Sequence, residues 1–327
     1  MKKLLYIFLL LPCFIKVSSQ QLPLYSQYMM NTFLLNPAAA GAEGYTAVSL
    51  TAREQWLGLK DSPKTHALSF QGRILKNNYV NRFRSVTSSK KRRTASGRVG
   101  LGGYFFNDKN GLIDKTGFQF TYAYHIPMQD NQLSFGMSVT GFQFRIDEDK
   151  MVLYDYDDEL INNTEKTVYI PDANFGMQYS TPYFYAGFSA SQLFESSLKL
   201  TGSNSASYKL ERHYYLNSGY KIYKRRWDYM IEPSMLIKFS ESSALQLDLS
   251  TKVYYKEDYW GGISYRTGAG AGALILMGGV SVDKFHFGYA FDLTMSSIMK
   301  HTYGSHEFMI AVKFGDNNRR YRWLNRY

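Results

Sequence analysis

The sequence contains few cysteines and prolines and no long apolar run. One cysteine among 327 residues excludes a disulfide framework and a four-cysteine zinc module. No apolar run approaches the roughly 20 residues that a membrane-spanning helix needs, and no convincing helical stripe follows residue 45. Aromatic residues are abundant instead, with 28 Tyr and 22 Phe, which argues against disorder. The net charge of +11 is compatible with three kinds of partner, namely nucleic acid, an anionic membrane surface and an acidic protein.

The first twenty residues predict a secretory signal peptide. Lys2 and Lys3 precede the short apolar run 4–11, and small polar residues follow near the end of the segment. We expect residues 1–20 to direct export through the Sec pathway and to be cleaved off. Cys13 would leave with them, and because it lies inside the apolar region it does not indicate a lipoprotein. Export disfavours a cytosolic role such as nucleic-acid binding.

Alternation of apolar and polar residues predicts β-strands along the rest of the chain. In residues 245–255 one parity is mainly leucine, valine and tyrosine and the other is polar, so a strand there would have one apolar face. The same alternation recurs in 118–126, 133–139 and 285–293. About fourteen strands are expected, near 45–53, 65–75, 97–107, 115–126, 132–145, 171–180, 182–193, 212–222, 227–239, 243–255, 258–267, 270–282, 284–294 and 305–314. The predicted fold class is therefore all-β.

Two all-β architectures fit this pattern. A soluble sandwich would bury its apolar faces, whereas a transmembrane barrel would turn them to lipid. The segments have the length of tilted membrane strands, which is about 9–11 residues, and their polar faces are rich in small uncharged residues. Aromatic residues at strand ends, in 183–185, 254–255 and 259–260, would form interfacial girdles. We therefore predict a transmembrane antiparallel β-barrel of outer-membrane type, integral to the outer membrane and surrounded by its lipid.

The predicted barrel occupies residues 45–314 as one domain. Residues 21–44 precede it and would either plug the lumen or dock periplasmic partners, and residues 315–327 form a basic periplasmic tail. Every second connection should be a short turn, but the connection 76–96 is long and basic. Basic residues predicted to dock an acidic partner on the periplasmic side are Arg82, Arg84, Lys90, Lys91, Arg92, Arg93, Arg225, Arg226, Arg319 and Arg320.

Residues with catalytic or metal-binding chemistry form no recognisable site. The six histidines are scattered without a metal-binding spacing. Ser305, His306 and Glu307 are consecutive, and neighbours on a strand point to opposite faces. The acidic stretch 147–159 lacks the spacing of a calcium loop, and strands rather than a helix flank the glycines of 268–272. We expect no enzymatic activity, no cofactor and no metal.

A series of short motifs runs in order along residues 21–314. The first ones are Tyr25-Ser26-Gln27-Tyr28-Met29, Asn36-Pro37-Ala38-Ala39-Ala40-Gly41 and Arg53-Glu54-Gln55-Trp56-Leu57-Gly58. Later ones include Pro171-Asp172-Ala173-Asn174-Phe175-Gly176, Gly262-Ile263-Ser264-Tyr265-Arg266, Gly288-Tyr289-Ala290-Phe291-Asp292 and Gly304-Ser305-His306-Glu307. Together they resemble the PorP/SprF family, outer-membrane proteins of type IX secretion and gliding motility in Bacteroidetes. Ala39 departs from the resemblance, because the family often has Tyr there.

The resemblance implies a non-enzymatic barrel that helps to export or surface-attach particular type IX cargo, such as gliding adhesins, by binding the cargo C-terminal sorting domain. Its partners would be that domain and the periplasmic and outer-membrane proteins of the secretion machinery, with no nucleic acid. Motif residues to which it assigns a partner-binding or structural role are Tyr25, Gln27, Tyr28, Asn36, Pro37, Gly41, Arg53, Gln55, Trp56, Gly58, Gly304, Ser305, His306 and Glu307. The alternative is a passive outer-membrane channel for small solutes, which needs an open lumen.

Overall fold

The computed structural model describes residues 23–74, 97–128, 131–146, 167–195, 197–199, 207–223, 228–241, 245–256, 258–268 and 272–314. Within them, fourteen long strands follow one another along the chain. They are β1 (Thr46–Glu54), β2 (Lys64–Ile74), β3 (Val99–Asn110), β4 (Ile113–Met128), β5 (Asn131–Ile146), β6 (Thr167–Ser180), β7 (Phe184–Ser191), β8 (His213–Tyr220), β9 (Tyr229–Ser240), β10 (Gln246–Tyr255), β11 (Tyr259–Thr267), β12 (Gly272–Val282), β13 (Phe285–Met295) and β14 (Ser305–Phe314). A short piece, Ile222–Tyr223, continues β8 along β9.

The fourteen strands close into a single barrel. Each strand pairs antiparallel with its neighbours in the chain, and β14 returns to pair with β1. In that closing pair Thr46 lies opposite Phe314 and Arg53 lies opposite Glu307. Closure means that the described sheet does not end in an edge strand, as a sheet inside a lipid bilayer requires. The prediction of an antiparallel barrel of about fourteen strands is confirmed.

The barrel wall is apolar outside and polar inside. On β4 the outward side chains Phe118 and Phe120 are 62% and 54% exposed, whereas the inward Thr121 and Ala123 are fully buried. A soluble protein would place the aromatic rings inside, because burial in the core is their most favourable position in water. The apolar outer surface is therefore the surface that faces lipid.

The predicted aromatic girdle is only half right. Tyr255 and Tyr259 project outward at the strand ends, as expected. Trp260 is buried inside, and the Tyr254 hydroxyl accepts a hydrogen bond from Lys252 Nζ at 2.6 Å. Adjacent residues on a strand point to opposite faces, so a pair of neighbouring aromatics supplies only one ring to the girdle.

The two ends of the barrel differ in their connections. At one end, which we call the turn end, β4–β5, β6–β7 and β12–β13 are joined by two or three residues, and Ile74 and Val99 also lie there. At the other end, which we call the loop end, lie the longer connections 192–212 and 296–304. The first of these contains a small hairpin, Ser197–Lys199 with Ser207–Lys209, and the second contains a 3₁₀ helix, Ser297–His301.

Candidate functional site

Residues 23–44, which we call the plug, lie inside the barrel. Nearly all of them are buried or half-buried, and only Glu43 is exposed. Two 3₁₀ helices shape the plug, Thr32–Leu34 and Pro37–Ala39. Asn36 caps the second helix, because its side chain accepts a hydrogen bond from Ala38 N at 2.9 Å. Pro37 is the first residue of that helix, a position that proline favours. The plug is thus a folded segment rather than an extended strand.

Inward-facing glycines of the wall make room for the plug backbone. A Cβ atom on Gly100 would collide with the carbonyl of Ala40, and one on Gly136 would collide with the backbone of Pro37 and Ala38. Both positions therefore require glycine for close approach rather than for a special φ angle. At these two positions the backbone of the wall packs directly against the backbone of the plug.

A buried carboxylate anchors the start of the plug to the wall. Glu307 on β14 accepts hydrogen bonds from the backbone N–H groups of Ser26 at 2.7 Å and Gln27 at 2.9 Å. Gln27 Nε2 also donates to the Glu307 carbonyl at 3.1 Å. Hydrogen bonds to a charged acceptor are stronger than neutral ones. Glu307 thus holds two successive residues of the plug.

Glu307 belongs to a buried network of charges, which we call the anchor cluster and which comprises Arg53, Asp248, Arg266, Asp292 and Glu307. Arg53 lies 2.7 Å from Asp292 and 3.3 Å from Glu307 and donates to Ser26 Oγ at 2.7 Å. Arg266 pairs with Asp248 at 2.9 Å and with Asp292 at 3.2 Å. Ser26 Oγ in turn donates to Asp292 at 2.7 Å. The plug is therefore part of the network that pairs these charges.

The two tyrosines of the plug are neutral hydrogen-bonding and packing groups. Burial raises the pKa of the Tyr25 phenol and of the Tyr28 phenol above the ordinary range, so both stay protonated. Tyr28 Oη lies 3.4 Å from Ser250 Oγ, and both rings belong to an apolar cluster with Leu35 and Leu236.

The rest of the plug is held around the whole circumference of the lumen. Asn31 donates to Ser69 Oγ at 2.9 Å, Ser189 Oγ donates to the Leu35 carbonyl at 2.6 Å, and Gln132 donates to the Ala42 carbonyl at 3.1 Å. Wall residues that bond or pack with the plug, in order from β1 to β14, are Arg53, Ser69, Tyr104, His125, Gln132, Met177, Ser189, Tyr215, Leu236, Ser250, Trp260, Met277, Asp292 and Glu307. The plug therefore bonds to, or packs in an apolar cluster with, residues of all fourteen strands.

The connections β1–β2 and β13–β14 are joined to each other at the loop end. Trp56 N donates to Ser305 Oγ at 3.1 Å, while Leu57 exchanges 2.8 Å backbone hydrogen bonds with Gly304 and Tyr303. Gly58 adopts φ of 98° and packs so closely on Tyr303 that a Cβ would meet its ring. Ser305 and Glu307 lie on the same strand face, so the joined loops and the anchor cluster are adjacent.

The consecutive residues Ser305, His306 and Glu307 do not converge into a catalytic relay. His306 points outward, where Nδ1 lies 2.8 Å from Tyr289 Oη, while its neighbours Ser305 and Glu307 point inward. No group of three or more His, Cys, Asp or Glu in the described ranges is placed to hold a metal ion. Among the described residues, no helix is long and apolar enough to span a membrane.

A comparison with known protein families identifies the family to which the chain belongs. The family of the type IX secretion system membrane protein PorP/SprF matches residues 17–312 of the sequence. The chain belongs to this family. It is accordingly an outer-membrane β-barrel of the type IX secretion system. A comparison with curated proteins gave no match.

Solved structures of outer-membrane barrels are similar to this PorP/SprF chain in overall fold only. The toluene transporter TbuX of Ralstonia pickettii is 9% identical, with a TM-score of 0.49 over 91% of this chain and 96% of that one. The outer membrane protein Omp33 of Acinetobacter baumannii is 8% identical, with a TM-score of 0.44 over 84% of this chain and 99% of that one. Similarity this distant says nothing about substrates.

The structure brings the family-motif residues together in two places. Tyr25, Gln27, Tyr28, Asn36, Pro37 and Gly41 lie in the plug, and Arg53, Gln55, Trp56, Gly58, Gly304, Ser305, His306 and Glu307 lie at the loop end of β1 and β14. Glu307 connects the two sets by holding Ser26 and Gln27. The ten basic residues predicted to dock a partner, Arg82, Arg84, Lys90, Lys91, Arg92, Arg93, Arg225, Arg226, Arg319 and Arg320, lie outside the described residues, as does the proposed signal peptide.

Sequence reasoning did not single out Ser26, Asp248, Arg266 and Asp292, although all four belong to the anchoring network. A signal for three of them was present. Asp248, Arg266 and Asp292 are ionisable residues within predicted membrane strands, and such residues are costly in a membrane unless they are paired. Ser26, like Arg266 and Asp292, lies in one of the motifs that resemble the family, but the motif alone does not show its role.

Proposed function

We propose that this chain is a non-enzymatic outer-membrane barrel that is needed for export or surface attachment of specific type IX cargo. It would bind the C-terminal domain of that cargo and the proteins of the secretion machinery. Membership of the PorP/SprF family supports a place in that machinery. The plug is the observation that carries the docking role, because its contacts reach every strand of the wall. A barrel filled by its own chain acts through its surfaces, not as an open pore.

The asymmetry of the barrel ends suggests where each partner docks. In outer-membrane barrels the short turns face the periplasm and the long loops face the cell exterior. The turn end would therefore meet the periplasmic machinery, and the loop end would meet cargo at the cell surface. In the sequence, the basic segment 82–93 falls between β2 and β3, Arg225 and Arg226 fall between β8 and β9, and Arg319 and Arg320 follow β14. Their positive charge would suit an acidic protein partner.

A test of this proposal changes charge without changing chain length. Replacing Arg82, Arg84, Lys90, Lys91, Arg92 and Arg93 by Gln should leave the barrel assembled, since none of the fourteen described strands is altered. Machinery proteins should no longer co-purify from native membranes, and cargo should fail to reach the cell surface. The readouts are mass spectrometry of the co-purified proteins and immunodetection of cargo on whole cells.

Exposed lysines at the loop end provide the matched control for that variant. Lys60→Gln with Lys300→Gln removes positive charge from the opposite end and should leave periplasmic partners attached. Undiminished export by the six-residue variant would discard the basic docking surface. Absence of any cargo or machinery protein from the wild-type preparation would count against the proposed function as a whole.

A further inference from the structure

A cavity lies in the loop-end half of the lumen, above the plug. Its volume is about 80 Å³, which is room for several water molecules or for one slender side chain. Pro23, Tyr25, Leu34 and Leu35 of the plug form the floor. The wall of the cavity consists of Tyr104, Phe106, Asp108, Lys115, Thr140, Phe142, Asp172, Asn174, Ser191, Gln192 and Tyr215.

One side of the cavity is a surface of aromatic rings. Tyr104 and Phe106 have centroids 5.5 Å apart, and Phe106 and Phe142 have centroids 6.4 Å apart. Tyr215 adds a fourth ring from β8. The faces of aromatic rings carry partial negative charge and attract organic cations as well as apolar groups.

The same cavity contains a buried carboxylate oxygen that lacks a hydrogen-bond donor. Asp172 is 1% exposed, and its Oδ1 accepts from Ala173 N at 2.7 Å and Phe194 N at 3.1 Å. Its Oδ2 has no hydrogen-bond partner among the described residues. A buried carboxylate oxygen without a donor costs free energy, so a ligand group that donates a hydrogen bond to it would be bound favourably.

Charges of both signs surround the cavity. Asp108 accepts from Thr65 Oγ1 at 2.6 Å, and Lys115 is the one cation among the cavity-lining residues that the structure describes. Lys115 Nζ lies 6.0 Å from the Phe144 ring. Lys238 lies beside the lining, with its Nζ 5.8 Å from the centre of the Tyr215 ring, so the charges around the cavity are balanced and the preference for a cation rests on Asp172 Oδ2.

We propose that the loop-end cavity binds an organic cation with an apolar body. Its ammonium group would donate to Asp172 Oδ2, and its body would lie against the rings of Tyr104, Phe106, Phe142 and Tyr215. A free alkylamine and a lysine side chain of a polypeptide share this chemistry. The site requires no displacement of the plug, because the plug forms its floor, and it does not depend on the proposed binding of cargo.

The test measures binding of matched probes to the full-length protein in detergent. N-acetyl-lysine amide should bind at least tenfold more tightly than the neutral N-acetyl-norleucine amide, as measured by saturation-transfer NMR titration. Asp172→Asn should weaken the lysine probe at least tenfold, while Lys115→Gln should not weaken it. Hexylammonium, compared with hexanol, separates the two sources: binding equal to the lysine probe indicates a free amine, and clearly weaker binding indicates a polypeptide.

The control is Asp258→Asn, which makes the same chemical change at an exposed position of the turn end and should leave probe binding unaltered. Equal affinity of wild-type protein for the lysine and norleucine probes overturns the proposal even if Asp172→Asn fails to assemble. So does an assembled Asp172→Asn variant with wild-type affinity, or the absence of any binding at millimolar probe.

Discussion

At the scale of single residues, the anchor cluster explains how five charges can remain inside a lipid-embedded barrel. Arg53 and Arg266 face three carboxylates, so one negative charge is left over. The plug compensates it, because Ser26 N and Gln27 N both donate to Glu307. The ion pairs of the wall and the hydrogen bonds that attach the plug therefore form one network. A substitution that breaks the ion pairs should also weaken the attachment of the plug, and the reverse should hold as well.

Removal of Arg53 tests this network. Arg53→Met keeps the length of the side chain but leaves Asp292 and Glu307 without their shared cation. We expect the free energy of unfolding to fall by about 3–5 kcal/mol, the usual cost of breaking a buried ion pair. Urea unfolding of the purified barrel in detergent micelles, followed by the gel mobility of the folded form, measures it.

The exposed ion pair Lys64–Glu54 supplies the matched control, because Glu54 lies on the same strand as Arg53 and Lys64 lies on the adjacent strand. Its atoms are 2.8 Å apart, but the two side chains are 46% and 38% exposed. Lys64→Met should therefore cost less than about 1 kcal/mol, because solvent screens such pairs. Equal losses for the two variants would show that the anchor cluster is no more important than a surface ion pair.

At the scale of elements, the strands were predictable, whereas the position of residues 21–44 stayed open between a lumen plug and a periplasmic docking segment. The strand Asn131–Ile146 agrees with the prediction for 132–145, because alternation with period two marks both its faces and its ends. Residues 23–44 have no such periodicity, so nothing in the sequence shows their path. The anchor cluster also stayed hidden, because Arg53 meets Glu307 only through the register of the closing strand pair.

The close packing of Gly136 in the wall against the backbone of the plug predicts that a larger residue at this position loosens the plug. Gly136→Ala places a methyl group against the backbone of Pro37 and Ala38, which cannot move aside as a side chain can. We expect an assembled barrel with a loosened plug, destabilised by about 1–3 kcal/mol as in other overpacked sites. Limited proteolysis should cut the plug of this variant faster than that of the wild type.

Gly261→Ala is the control for that substitution. A Cβ at Gly261 would meet only the Met277 carbonyl at 3.9 Å, which is an ordinary contact, so this variant should behave as the wild type does. If the plug of Gly136→Ala resisted proteolysis as well as that of Gly261→Ala, the close fit between wall and plug would not hold the plug in place.

At the scale of the whole molecule, the plug is coupled to the loop end through adjacent residues of one strand. Ser305 binds the β1–β2 connection through Trp56 N, and Glu307, two residues further along β14, binds the plug. A partner that pulled the joined loops away from Ser305 would thus disturb the strand that anchors the plug. Docking at one end and the state of the lumen are linked by this geometry.

Conductance separates a plugged docking barrel from a passive channel. In planar lipid bilayers the wild-type protein should carry no steady ohmic current, because the plug bonds to, or packs in an apolar cluster with, residues of all fourteen strands. Deletion of residues 25–42 keeps every barrel strand and should produce a stable current, while Gly261→Ala should stay silent. Gel mobility confirms that each variant is assembled. A steady current from the wild type would favour the channel for small solutes, since it would require a continuous water path past the plug.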